Sequence, residues 1–414
     1  MAIVKPFKAI RPTKERAADI AALPYDVYTT KEAKDVIERH PMSFLKIDRA
    51  ECNFTEGQDI YAPEVYEKAR EILTRMIADG DFIQDEEPRF YLYELTMDGR
   101  TQNGIVGCAA ASDYESGLIR RHENTRADKE EDRIRHVDVT NAQTGPIFLM
   151  HRHNRTIAEI IAHTKERKAP DYDFTTDEGT RHRVFVIDDG RDIDNISFAF
   201  SNIPEIYIAD GHHRCASAVR VCKMRREANP RHTGKEEYNF FLSVLFDEAE
   251  LAILPYNRVV KDLNWLSPSK LLEKIDAAAD RLREDFYPIT PEKKGQFAMF
   301  LDDHWYLYAF HEEDRLDDVV EGLDVSILQK RILEPILNIG DPRTDKRIDF
   351  VGGIRGFEGL EARCEKDCKL AFALYPTQIG ELLAVADAGR LMPPKSTWFE
   401  PKLLSGLFIH SLEG

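Results

Sequence analysis

The stretch from Glu205 to Cys222 constrains the chain most. Glu205-Ile206-Tyr207-Ile208-Ala209 reads as a buried strand, and Cys215, Ala218, Val219 and Cys222 recur at the i, i+3, i+4, i+7 spacing of one helical face. Between them stand Asp210-Gly211-His212-His213-Arg214. A buried strand must therefore turn at Gly211 into a helix, with a carboxylate, two imidazoles and a guanidinium at the junction. A glycine there lets backbone approach a ligand closely, and the unbonded N–H groups of a helix N-terminus favour phosphate or carboxylate. Arg214 adds a bidentate clamp. The plainer alternative is an Asp N-cap, but a cap requires neither two histidines nor an arginine.

Composition bounds the partners. A chain of 414 residues suggests about two to three domains, and with 43% apolar residues it can build real cores. The 57 basic and 74 acidic residues leave a charge of −17. Such a surface repels nucleic acid and anionic membrane over most of its area, so an anion site must be a local basic pocket. The first residues carry lysines without an apolar stretch, and no apolar run approaches a membrane span. The expectation is a soluble, cytoplasmic protein. Six cysteines, two of them on the helical face above, read as reduced buried thiols; Cys364 and Cys368 lack the paired spacing of a zinc site.

The pattern is mixed α/β throughout, without repeats. A helical stripe runs over 59–77, strands over 90–95 and 104–111, then a polar segment over 120–145 that reads as a long loop. A strand at 147–150, a helix at 156–165, a strand at 184–187, the signature turn and apolar runs at 240–246 and 251–260 follow. A helix over 267–283 marks the expected boundary between a domain of 1–265 and an α/β module of 266–414. In that module strands are expected at 297–301, 305–310 and 370–375, and helices at 326–337 and 378–388.

Four other islands carry candidate chemistry. Leu23-Pro24-Tyr25-Asp26-Val27 is a proline-stiffened loop after a short strand at 7–10. Arg121-His122-Glu123-Asn124-Thr125 groups a base, an acid and an amide, with Asp132-Arg133 and Thr140 to Thr144 behind it. Met392-Pro393-Pro394-Lys395-Ser396-Thr397, continuing to Lys402, sets two lysines and two hydroxyls among prolines, which suits phosphate. Gly352-Gly353-Ile354-Arg355-Gly356 is an ordinary glycine turn with one arginine. Each has a bland alternative: an Asx turn for Asp26, a solvated connector for 121–125, a terminal fastening for 392–402. The phosphate loop of nucleoside triphosphatases, the protein-kinase motifs and a dinucleotide fingerprint are absent from the sequence.

Together and in this order, the Leu23–Val27, Arg121–Thr125, Ile208–Arg214 and Met392–Thr397 segments resemble a bacterial and archaeal family long catalogued as a domain of unknown function. The central motif also resembles the ParB/sulfiredoxin superfamily, whose Gly-x-x-Arg turn, here Gly211-His212-His213-Arg214, faces phosphates. The resemblance implies a mixed α/β chain with a ParB/sulfiredoxin-like N-terminal domain. Among relatives of that fold are kinases for free L-serine that use ADP, ATP or pyrophosphate, and this motif set is most similar to the pyrophosphate-dependent ones. Sulfiredoxin chemistry needs a cysteine where His212 stands, and the acidic charge argues against the DNA partner of ParB.

What the resemblance implies is a small-molecule phosphotransferase making O-phosphoserine, with a non-catalytic nucleotide or phosphate sensor as the rival. Phosphoryl transfer asks for positioning, charge neutralisation and a base near the attacking hydroxyl. On this expectation Gly211, His212, His213 and Arg214 hold the donor phosphates, while Lys395, Ser396, Thr397 and Lys402 close over them. Asp26 or Glu123 accepts the hydroxyl proton; the sequence does not choose between them. Arg121, His122, Asn124 and Thr125 line the acceptor side, and Asp210 orients or holds Mg²⁺. The partners expected are L-serine and a phosphoryl donor, with the oligomeric state left between monomer and homodimer.

Overall fold

Phe90–Met97 and Arg100–Ala110 form a hairpin because Asp98 and Gly99 both adopt positive φ, 50° and 76°, the conformation a two-residue turn demands. That hairpin sits inside a nine-stranded mixed sheet. In the computed structural model, which describes residues 1–55 and 57–413, the order across the sheet is Ile119–Arg120, Ile206–Asp210, Ile147–His151, Phe240–Asp247, Arg100–Ala110, Phe90–Met97, Arg181–Ile187 and Tyr172–Thr175. Val4–Lys5 adds to the Arg100–Ala110 strand. Ile206–Asp210 runs antiparallel to Ile147–His151, which is parallel to Phe240–Asp247.

The helix His212–Ala228 buries Cys215, Ala218, Val219 and Cys222 against Ile147, Leu149, Ile206 and Ile208, so the face read from the sequence is the core face. A second core joins Phe44, Leu45 and Ile47 to Val65, Ala69, Ile72, Leu73 and Met76 of the helix Pro63–Ala78. All six cysteines are free thiols.

Two contact units divide the chain. The first holds 1–121, 125–251 and the residues from Pro401 onward; the second holds 122–124 and 252–400. The units part at 251/252 and not at 265/266, because Tyr256–Val260 pairs with Ile348–Gly352 and Leu370–Leu374 of the second unit's sheet. From Pro401 the chain returns to the first unit. Ser405 bridges Ala22, Ile409 bridges Ile10, and His410–Ser411 pairs with Ala142–Gln143. The second unit carries a six-stranded antiparallel sheet ordered Ala279–Asp285, His304–Phe310, Gln296–Leu301, Leu370–Leu374, Tyr256–Val260, Ile348–Gly352.

Three expectations need correction. The polar segment over 120–145 is no long loop: Ala127–Thr140 is helical, and its buried residues are Arg133, Ile134, His136 and Thr140. A buried face that is three-quarters polar leaves no hydrophobic period to read. The helix expected over 267–283 stops at Asp276, and Ala279–Asp285 is a strand. Its charged, exposed residues resemble a solvated helix but blunt the edge of a sheet. The helix at 326–337 is instead Asp324–Leu328 followed by a wider π turn over Gln329–Leu333. Among the described residues no helix is long and apolar enough to cross a membrane.

Candidate functional site

The strand Ile206–Asp210 is buried up to its last residue, and a register shift between Ile208 and Asp210 re-aims that residue at the strand end. Gly211 then takes φ 89° and ψ 32° as the helix N-cap, a left-handed conformation that side chains with a Cβ avoid. A Cβ on Gly211 would lie 3.2 Å from Arg214 Nε, and one on Gly145 would lie 3.5 Å from Arg214 Nη1. The guanidinium therefore lies against two glycines, and its Nη1 donates to the Pro146 carbonyl at 2.7 Å.

Both oxygens of Asp210 are engaged: Gly211 N–H donates to Oδ1 at 2.7 Å, and the Lys402 ammonium donates to Oδ2 at 2.8 Å. Burial alone would raise this carboxyl, but the charges of Lys402 and Arg214 and both hydrogen bonds outweigh it and hold Asp210 far below the usual carboxylate range. A carboxylate so placed orients its neighbours and is a poor acceptor of protons near neutral pH. His212 is buried, and its pKa is pushed down to about 4 by burial first, then by His213 and Arg121, against the pull of Asp210. It is neutral at pH 7. His213 Nε2 accepts the Arg126 N–H at 3.0 Å, so its ring ties the following loop to the turn. Arg214 is left as the cation of this turn that faces a cavity.

That cavity is two adjoining hollows of the first unit that share Tyr25, Asp48, Arg133 and His136; Arg214, Thr144 and Gly145 line the first. Arg133 and His136, one turn apart on the helix Ala127–Thr140, both face it. The Arg133 guanidinium stacks 4.1 Å from the centre of the Tyr25 ring, with Nε and Nη2 at 3.1 and 3.0 Å from Asp132 Oδ2. Tyr66 donates to the other Asp132 oxygen at 2.9 Å. Thr144 donates to Asp48 Oδ1 at 2.8 Å. His136 donates through Nε2 to the Ile47 carbonyl at 3.2 Å; burial, helped by the Arg133 charge, pushes its pKa down to about 4. Burial likewise pushes the Tyr25 hydroxyl up to about 12. Arg49 staples the loop that carries Tyr25, donating to the carbonyls of Tyr25 and Tyr28 at 3.1 and 3.0 Å and to Thr30 Oγ1 at 2.8 Å.

The expected residues fall in three places. Asp26 is exposed in the 3₁₀ turn Tyr25–Val27, beside the ring that walls the cavity. Arg121 is exposed, and Thr125 donates to Glu130 Oε2 at 2.9 Å in the first unit. His122, Glu123 and Asn124 belong to the second unit, as do Lys395, Ser396 and Thr397. There the Met392 N–H donates to the His122 carbonyl at 2.8 Å, and Thr397 Oγ1 lies 3.5 Å from His122 Nε2. Ser396 donates to the Pro393 carbonyl at 2.7 Å, and Lys395, at φ 58°, holds its ammonium 5.3 Å from the centre of the Tyr256 ring. Lys402, on the returning tail, is in the first unit against Asp210. Sequence reasoning missed Asp48 and His136 entirely. The one signal for Arg133 and Thr144 was their place in the polar segment behind Thr125.

The residues do not fit a protein-held divalent metal at Asp210 as it stands. Its Oδ2 already carries an ammonium, and among the described residues no group of three metal-ligating side chains converges.

A family model described as "Protein of unknown function (DUF1015)" matches residues 4–326. No curated protein matches the chain. Among solved structures, a mutant free serine kinase in complex with AMP is 15% identical, covering 68% of this chain and 84% of that one, with a TM-score of 0.34. A C-terminally truncated SbnI from Staphylococcus aureus is 11% identical over 72% of this chain and 85% of that one, with a TM-score of 0.38. A conserved hypothetical protein from Pyrococcus furiosus is 16% identical over 70% and 91%, with a TM-score of 0.33.

Proposed function

This chain belongs to the family described as Protein of unknown function (DUF1015), and from that premise and the geometry of its turn we propose that it is a phosphotransferase acting on a small-molecule hydroxyl. The reading rests chiefly on one observation: Arg214, packed against Gly211 and Gly145 and tied to Pro146, presents its guanidinium to a cavity walled on the side of the helix His212–Ala228 by Arg214 and Ala218. A guanidinium facing a cavity suits a phosphorylated donor. Free L-serine as acceptor and pyrophosphate as donor, with ADP or ATP as alternatives, come from the motif resemblance of the sequence.

In the step proposed, the serine hydroxyl oxygen forms a bond to the donor's terminal phosphorus while the bond from that phosphorus to the leaving phosphate oxygen breaks. The hydroxyl proton goes to Asp26, beside the ring that walls the cavity of the first unit, which Asp26→Asn tests; Glu123, the other candidate from the sequence, is tested by Glu123→Gln. Asp210, ionised and paired with Lys402, anchors the turn and does not serve as that base. Magnesium enters this reading as the counter-ion of the donor phosphates, and no step depends on it.

The test is to incubate the protein with Mg²⁺, L-serine and, in turn, pyrophosphate, ADP, ATP and polyphosphate, following O-phosphoserine. Product with pyrophosphate is expected. No product with any donor, alongside saturable phosphate binding, would move the protein to the sensor reading.

A further inference from the structure

Asp48 and Arg133 are 4% and 8% exposed and line both hollows beside Arg214. Each keeps one polar atom unused. Asp48 Oδ1 accepts from Thr144, while among the described residues Asp48 Oδ2 has no hydrogen-bond partner. Arg133 spends Nε and Nη2 on Asp132, while Nη1 likewise has no partner among the described residues. Both atoms open onto the hollow, so whatever occupies it can pair with an anionic acceptor and a cationic donor together. A simple anion would meet the Asp48 carboxylate, and a simple cation the Arg133 guanidinium. A zwitterion satisfies the two at once. Of the other charged groups on the walls, Arg49 pairs with Glu51 and Asp132 with Arg133, Lys129 lines the second hollow, and Arg214 of the first is the cation assigned above to the donor; His136 donates to Ile47, and Tyr25 is covered by the Arg133 guanidinium.

We infer that this hollow is the acceptor pocket and takes a small α-amino acid as its zwitterion, the ammonium on Asp48 Oδ2 and the carboxylate on Arg133 Nη1. That the bound amino acid carries the reacting hydroxyl rests on the phosphotransfer reading above; that the pocket binds a zwitterion does not. Asp48 and Arg133 are thus specificity-determining residues, and Arg49 is a positioning residue that acts through the loop carrying Tyr25.

Calorimetric titration of the whole protein with L-serine, without donor, tests this. L-serine should bind, and ethanolamine and 3-hydroxypropanoate, which each lack one charge, should bind at least about tenfold more weakly, the usual consequence of a lost charge-assisted hydrogen bond. Asp48→Asn should weaken L-serine by a similar factor and leave pyrophosphate binding unchanged, whereas Arg214→Ala should do the reverse. Should Asp48→Asn fold poorly, the three ligands on the wild-type protein still decide. Equal binding of the three ligands, no L-serine binding, or unchanged affinity in a folded Asp48→Asn would each overturn the assignment and leave a water-filled structural cavity. Serine binding with the expected pattern but no phosphoserine from any donor would sink the phosphotransfer reading and keep the pocket.

Discussion

Replacing Lys402 by Met removes the ammonium from Asp210 and leaves the aliphatic stem in place. At 2.8 Å and an effective dielectric near 20, the bare attraction is on the order of 6 kcal/mol. The side chains are 12% and 31% exposed, so solvent screens the pair and desolvation offsets much of that figure. Exposed pairs contribute about 0–1 kcal/mol and breaking a fully buried one costs about 3–5, so a loss of about 2 kcal/mol is expected here. Urea unfolding of wild type, Lys402→Met, Asp210→Asn and the double variant closes a cycle whose coupling should be about 1–2 kcal/mol. Hydrogen exchange of the Ile409 amide, which donates to the Ile10 carbonyl, should speed up as the tail loosens. The effect has a pH signature. Asp210 titrates lower in the folded than in the unfolded chain, so the pair's contribution is full above the ordinary carboxylate value of about 3.9 and fades as pH falls below it. Coupling within about 0.3 kcal/mol of zero, with Ile409 exchange unchanged, would refute the reasoning and leave Lys402 free of any role in fastening the tail.

Arg214→Ala should cost about 2–4 kcal/mol in kcat/KM for the donor, and Arg214→Lys should not rescue it because a point charge cannot replace the fork; unchanged turnover with a lower melting temperature would make Arg214 structural. Cys215 is fully buried in the core, so Cys215→Ser should lower stability by about 1–2 kcal/mol and spare turnover; complete inactivation of a folded variant would point to a thiol mechanism. His136 and His212 are held near pKa 4, below the ordinary value of about 6.5. The unfolded chain therefore takes up protons first, and stability should fall between about pH 6.5 and 4 by an amount on the order of 2–3 kcal/mol per histidine, then level off. An identical urea midpoint at pH 7.5 and pH 5 would contradict this.

The sequence by itself determined the strand, the Gly211 turn and the helix after it, because a four-residue apolar run, a glycine and a 3.6-residue period are local facts that tertiary context did not override. It also determined that Cys215 and Cys222 enter the core and that the protein is mixed α/β; the burial of Cys108 and Cys368 and the half-exposure of Cys52 and Cys364 it did not mark. The segment over 127–140 was illegible for a physical reason: its inward face carries Arg133, His136 and Thr140, whose burial is made tolerable by partners distant in the chain, Tyr25 under the guanidinium and Ile47 on the imidazole. Hydrophobic periodicity cannot register a polar interior. Lys402 could be suspected of meeting the turn, but only the return of the tail through Ser405, Ile409 and His410 brings it within 2.8 Å of Asp210, a contact spanning 192 residues. Tertiary structure alone decided that Asp48, in a stretch without any motif, faces Arg133 in the same hollow, because the partners of a buried charge are chosen by the packing of separate elements and leave no mark on the residues next to it.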